Sequence, residues 1–205
     1  MNTTSKITEH VQKGESLLVE SILFLNMALR CTTSENTESC LSHFWTSIER
    51  YYHYLQICSE FTCRKNCYFC CFDNPHGVTG LELQRIIPFL TPIQKKKIQE
   101  YYDRFQSIPA QNDEERQIKW KQLCNPCPML EDKACSIYSH RPLACRSFFS
   151  EHTPERCHPN HEQYGPQPQI GNDDIHIILA KLSQKKDLLP SSDLISGLAS
   201  LLEKE

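Results

Sequence analysis

Cys63-Arg64-Lys65-Asn66-Cys67-Tyr68-Phe69-Cys70-Cys71 sets four thiols within nine residues, in a chain whose flanks read as helix. Cysteines return further on as Cys124-Asn125-Pro126-Cys127, then Cys135, Cys145 and Cys157. Between Cys124 and Gly171 seven prolines (126, 128, 142, 154, 159, 166 and 168) forbid a long helix. An irregular segment of that length inside a folded chain needs something to hold it. These stretches decide the fold: a mainly α protein, small and helical, wrapped around an irregular Cys-rich core.

Helical periodicity frames that core on both sides. Ile7, Val11, Leu18, Ile22, Leu25 and Leu29 recur at three, four or seven, as one face of a helix does. Thr32 to Ser39 reads as a polar break, and Leu41, Phe44, Trp45, Ile48, Tyr52 and Leu55 make a second stripe. The two predict an antiparallel helical hairpin over 1–57, with Tyr51, Tyr52 and Tyr54 packing in its core. Thr79 with Glu82 forms a capping box, so a helix begins near Gly80, and Pro88 ends or kinks it. Thr91-Pro92 with Gln94 starts another, running to about Ser107. Asn112 with Glu115 caps a third, reaching about Leu123. Asn172 is expected to cap Ile175–Leu182, and Ser192 to cap Leu194–Leu202. The organisation expected is one domain over 1–205: the hairpin, a cysteine region over 58–160, and C-terminal helices over 172–204.

Composition bounds the function. The 205 residues carry 25 acidic and 22 basic side chains, a net charge of −3, so no basic field favours nucleic acid. The most apolar run, Leu17 to Leu29, is broken by Glu20, Ser21 and Asn26 and is too short for a bilayer. The first residues show neither a basic segment followed by an apolar run nor a cleavage pattern. A cytoplasmic protein without membrane contact is expected, and in a reducing compartment clustered cysteines point to metal or catalysis before disulfides.

The spacing supports metal. Thiolates are the metal-binding form and repel one another without a cation. Cys67-x-x-Cys70 and Cys124-x-x-Cys127 have the two-residue spacing that lets both sulfurs reach one ion. The adjacent Cys70 and Cys71 would face opposite ways in extended backbone. That suggests two metal atoms, a polynuclear cluster, or one ligand beside a bystander. Cys31 and Cys40, near the predicted hairpin, are read as buried thiols or a disulfide outside the metal set.

Cys127-Pro128-Met129-Leu130, Cys135-Ser136-Ile137-Tyr138 and Arg141-Pro142-Leu143-Ala144-Cys145-Arg146-Ser147-Phe148 give the chain a resemblance to a known family. Together with the run at 63–71 they resemble the CxxCxxCC (YkgJ-type) cysteine-cluster proteins, zinc- or iron-chelating domains often labelled Fe–S oxidoreductases. The resemblance covers about residues 58–160. It departs at the first cysteine, where three residues rather than two separate Cys63 from Cys67. The resemblance and the spacing together imply metal ligands among Cys63, Cys67, Cys70, Cys71, Cys124, Cys127, Cys135, Cys145 and Cys157.

Around the ligands, Arg141 and Arg146 flank Cys145, where positive charge stabilises thiolate. Arg141 could equally cap a helix end or pair with a surface acid. Tyr138 could donate to a ligand sulfur or simply pack. His76, His140, His152, His158 and His161 lie in irregular segments and are weaker ligand candidates. No phosphate loop, Ser-His-Asp order or His-Glu-x-x-His is present.

An all-sulfur donor set suits zinc ions or an iron–sulfur cluster, with the adjacent cysteines and surplus thiols tilting toward iron. The function expected is that of a metal-binding cysteine-cluster protein, redox-active or a modifying metalloenzyme acting on a protein partner or substrate. The alternative is a non-enzymatic interaction module stabilised by zinc.

Overall fold

The computed structural model describes residues 3–58, 63, 66–150, 153–164 and 172–204, with the side chains of 3–11 and of Cys58 outside the description. Ile7 and Val11, as side chains, and Arg64, His152, Pro166 and Pro168 therefore lie outside it. Among the described residues the fold is mainly α, with eight helices and one two-stranded hairpin.

Helices α1 (Thr3–Arg30) and α2 (Ser34–Cys58) pair along their length. Their interface is apolar, with Leu25, Ala28, Phe44 and Ile48 buried, and includes a hydrogen-bonded Ser21–Ser47 pair at 2.9 Å. The break between them is shorter than the sequence suggested. Only Cys31–Thr33 leave the helix, because the polarity of Ser34–Ser39 marks an exposed first stretch of α2 and not a gap. Tyr51 and Tyr52 pack in this core.

Helices α3 (Gly80–Ile86), α4 (Pro92–Gln106) and α5 (Asp113–Gln122) follow, then strands β1 (Leu130–Glu131) and β2 (Ala134–Cys135). A single helical turn, α6 (Leu143–Arg146), precedes α7 (Asp173–Lys185) and α8 (Leu194–Leu202). The capping residues do what their chemistry predicts at α3, α4, α5 and α7. At α8 the cap is Asp193, not Ser192: its Oδ1 accepts the Ser196 N–H at 2.9 Å. Asp193 is also held by Asn74 Nδ2 at 2.7 Å, which fixes it in the capping geometry.

Two hydrophobic cores result. The first joins α1, α2 and α7 with Leu81, Leu143 and Phe149. The second joins α3, α4 and α8 with Met129, Ile137 and Ala144. Two short helices span both. Leu81 and Leu83 of α3 face different cores, as do Leu143 and Ala144 of α6. The next residue along α6 is Cys145. No helix among the described residues is long and apolar enough to cross a membrane.

Candidate metal centre

The cysteine segments meet at the seam between the two cores. Cys63 packs against the first, Cys127 and Cys135 against the second. The two stretches are joined through backbone: the Cys127 N–H donates to the Cys71 carbonyl at 2.7 Å. Cys135 closes the β1–β2 hairpin opposite Leu130. Both turn residues, Asp132 and Lys133, take positive φ (47° and 61°), as a two-residue hairpin turn of the mirror-image type demands.

Four thiols act on one another. Cys70, Cys127, Cys135 and Cys145 lie close enough that charge on any one raises the pKa of others across all six pairings. Cys63, Cys67 and Cys157 form a second group that shares Cys70 with the first. Cys71 touches Cys70: their sulfurs hydrogen-bond, because Phe69–Phe72 is a 3-10 turn. The extended backbone that would have turned them apart is not what forms here. A cavity of about 90 Å³ lies among Cys63, Cys67, Cys70 and Cys145, with Arg141 and Tyr138 in its wall.

Cys124 stands apart. It adopts positive φ (47°), and its sulfur lies against Asn160 Oδ1 at 3.0 Å and the Lys121 carbonyl at 3.6 Å. No thiol of the two groups acts on it.

The surroundings pull the thiols in two directions. Burial pushes Cys127 and Cys145 well above the ordinary cysteine range, and Cys63 up to about 11. Cys70 is raised first by its bond with Cys71 and then by burial. Against this, backbone N–H groups point at sulfur: Ser150 at Cys63 (3.1 Å), Met129 at Cys127 and Ile137 at Cys135. Such donors favour the anion, since a thiol is a weak acceptor and a thiolate a strong one. Arg141 acts the same way on Cys70, Cys135 and Cys145.

Tyr138 seats that arginine. Its ring lies 3.7 Å from the guanidinium centre, and its carbonyl accepts from Arg141 Nε at 3.1 Å. Arg146 has a different task. Its buried side chain donates to the Arg141 and Ser139 carbonyls at 2.7 and 2.6 Å and pairs with Glu49 on α2. It fastens the loop carrying Cys145 to the helical hairpin.

The histidines serve local turns. His158 Nδ1 accepts the Asn160 N–H and its ring packs on Phe72, while His161 Nδ1 accepts the Gln163 N–H. His140 stacks on Phe89.

Two residues that position the site were visible only as helix caps. Glu82 Oε2 accepts the Thr79 N–H at 2.8 Å, and its Oε1 reaches across to the Leu143 N–H at 2.7 Å, at the start of α6. Gln94 Oε1 accepts the Thr91 N–H at 2.8 Å. Its amide donates to Glu131 Oε1 (2.8 Å) and Ser136 Oγ (2.7 Å), gripping the hairpin that presents Cys135.

The donor chemistry fits a thiophilic metal: buried sulfurs, anion-favouring donors and a nearby guanidinium. Among the described residues, no group of three or more His, Cys, Asp and Glu side chains is arranged to hold an ion as it stands.

Comparison with known proteins agrees with that chemistry. A family model, CxxCxxCC, described as a putative zinc- or iron-chelating domain, matches residues 62–170, more than half of the chain. No curated protein and no solved structure matches.

Proposed function

The chain belongs to the CxxCxxCC family of zinc- or iron-chelating domains, and from that premise we propose that its thiols hold an iron–sulfur centre with a redox role. One observation carries the choice of a polynuclear centre: eight cysteines gather at one seam beside a 90 Å³ cavity lined by four of them. A single zinc ion uses four thiolates in a closed tetrahedral site and needs no cavity. Iron–sulfur clusters are held by four cysteines and occupy space of their own.

Cys70, Cys127, Cys135 and Cys145 are the ligands best supported, since each lies near the other three. Cys63, Cys67, Cys71 and Cys157 adjoin them as further sulfur donors. A bound cluster would supply one-electron chemistry. The chain's own residues would tune it: the N–H groups of Met129 and Ile137 and the charge of Arg141 stabilise negative charge on sulfur.

A second reading has support in the same count. Eight thiols are also two sets of four, enough for two structural zinc ions stapling the irregular segment to the helices. Metal analysis of the chain purified without air separates the readings. About four irons per chain, with the visible absorption of a cluster, is the expected result. One or two zincs with negligible iron would overturn the iron–sulfur reading and leave the zinc module.

A further inference from the structure

Cys31 and Cys40 form a second thiol site at the far end of the helical hairpin. Cys31 follows the last residue of α1, and its N–H donates to the Met27 and Ala28 carbonyls at 3.0 and 3.3 Å. Cys40 lies in the second turn of α2. Their sulfurs are 3.9 Å apart, which is van der Waals contact, and both residues are half-buried. No metal-centre thiol acts on Cys40; the neighbour it feels is Cys31. The pair is therefore independent of the metal centre.

The corner around the pair is well held. Thr37 is bonded back to Thr33 through both N–H (3.2 Å) and hydroxyl (2.9 Å). Lys185 of α7 donates to the Leu29 and Cys31 carbonyls at 3.1 and 2.7 Å. Two thiols kept in contact on anchored backbone are placed to close toward the roughly 2.05 Å of a disulfide.

We infer that Cys31 and Cys40 are a redox modification site, closing to an intramolecular disulfide by exchange with a small-molecule disulfide such as oxidised glutathione. One thiolate attacks the small disulfide; an S–S bond to the protein forms, and the first small thiol leaves. The second protein thiolate attacks the protein sulfur of that mixed disulfide, and the second small thiol leaves. Two protein thiols are oxidised, one small disulfide is reduced to two thiols, and the two protein protons end on them. The proximity of the partner makes the second step intramolecular, so the mixed disulfide does not persist.

The consequence would be felt nearby. Glu38, Leu41 and Ser42, on either side of Cys40, line a groove of about 860 Å³ that runs past Trp45 and Arg85 to His140. A closed disulfide fixes that wall of the groove.

The test uses the metal-loaded full chain, incubated with graded ratios of oxidised to reduced glutathione, acid-quenched, alkylated and digested with trypsin. Both cysteines fall in one peptide, residues 31–50, released at Arg30 and Arg50. The expected product is that peptide, unalkylated and two hydrogens lighter, restored to the dialkylated form by dithiothreitol. A peptide that stays dialkylated in fully oxidised glutathione overturns the inference, as does one that ends as a stable glutathione adduct. Cys31→Ser and Cys40→Ser, checked for helix content by circular dichroism, should stop at the mixed disulfide in at least one case. Absence of any adduct in both would show that the oxidant does not reach the pair and would also overturn it.

Discussion

Glu82→Gln removes half of one hydrogen-bond acceptor pair and should disturb both the fold and the metal centre. Glu82 is 2% exposed, and its two oxygens accept from backbone N–H groups 64 residues apart in sequence, Thr79 and Leu143. An amide can satisfy only one of those donors with its oxygen. Whichever way it sits, the other N–H faces an NH₂ group and is orphaned in the interior. A buried donor left without a partner costs about 1–3 kcal/mol. With a urea slope of about 2 kcal/mol/M, a loss of about 2 kcal/mol lowers the unfolding midpoint by about 1 M. If the orphaned donor is Leu143, the start of α6 loosens and Cys145 with it. Metal affinity should then fall about tenfold or more, as for other groups that orient ligands.

Thr79→Ala is the control. It removes a hydroxyl that donates to Glu82 at 2.8 Å but leaves both N–H bonds in place. It should cost about 1 kcal/mol and leave metal binding as it was. The assays are urea denaturation of metal-loaded chains and competition with a chelator. Glu82→Gln within about 0.5 kcal/mol of the parent would refute the claim that Glu82 ties the cap of α3 to the ligand turn, while metal held as well as by Thr79→Ala would place the orphaned donor at Thr79.

Other substitutions separate frame from ligands. Cys70→Ser and Cys145→Ser should each lower bound metal and destabilise the chain, because metal binding and folding are coupled, whereas Cys124→Ser and Cys40→Ser should keep full metal content by elemental analysis; the reverse pattern would reassign the ligands. Gln94→Ala strips an acceptor from Thr91 and two donors from the hairpin, so it should cost about 2–3 kcal/mol in denaturation and weaken metal retention. Gly80→Ala places a Cβ 2.6 Å from Leu188 Cβ and 2.8 Å from the Leu189 carbonyl oxygen; relief requires backbone movement, so a loss of about 1–3 kcal/mol is expected in the same assay. Arg141→Met keeps much of the side-chain volume over Tyr138 but removes the charge felt by three thiols, so chelator competition should show weaker metal binding with near-parent helix content.

The helices were legible because their signals are local. A capping box occupies four residues, and both boxes, at Thr79 and Thr91, open helices where the side chains say they should. That the two cysteine stretches would come together was legible from spacing and density. What could not be read is how the thiols partition. Cys124 and Cys127 have the spacing of a ligand pair, yet the positive φ of Cys124 turns it toward Asn160, and that conformation depends on packing between α5 and the 153–164 segment. Cys70 and Cys71 were assigned to opposite faces on the assumption of extended backbone, and a 3-10 turn brings their sulfurs into contact instead. In the sequence Glu82 and Gln94 show only as the far ends of two helix-start signals. A carboxylate or amide has a second end, and in a buried cap that end must also find a partner. In both cases the partner lies in the cysteine region.

That sharing explains how an irregular segment is shaped by contacts that do not involve its sulfurs. Glu82 holds the start of α6, Gln94 holds the hairpin, Arg146 ties the intervening loop to α2, and Cys127 is bonded to Cys71 through backbone. None of these contacts uses a sulfur. Burial raises the pKa of Cys127 and Cys145, which opposes the thiolate there. Yet each of Cys63, Cys127 and Cys135 already meets an N–H that would serve an anion better than a thiol. Burial outweighs these dipoles at all three thiols, whose pKa stays raised. A bound cation would favour the thiolates, and the N–H donors at Cys63, Cys127 and Cys135 would then make charge-assisted contacts. The frame is thus held by contacts that use no sulfur, while its N–H donors are aimed to stabilise thiolates once a metal is bound.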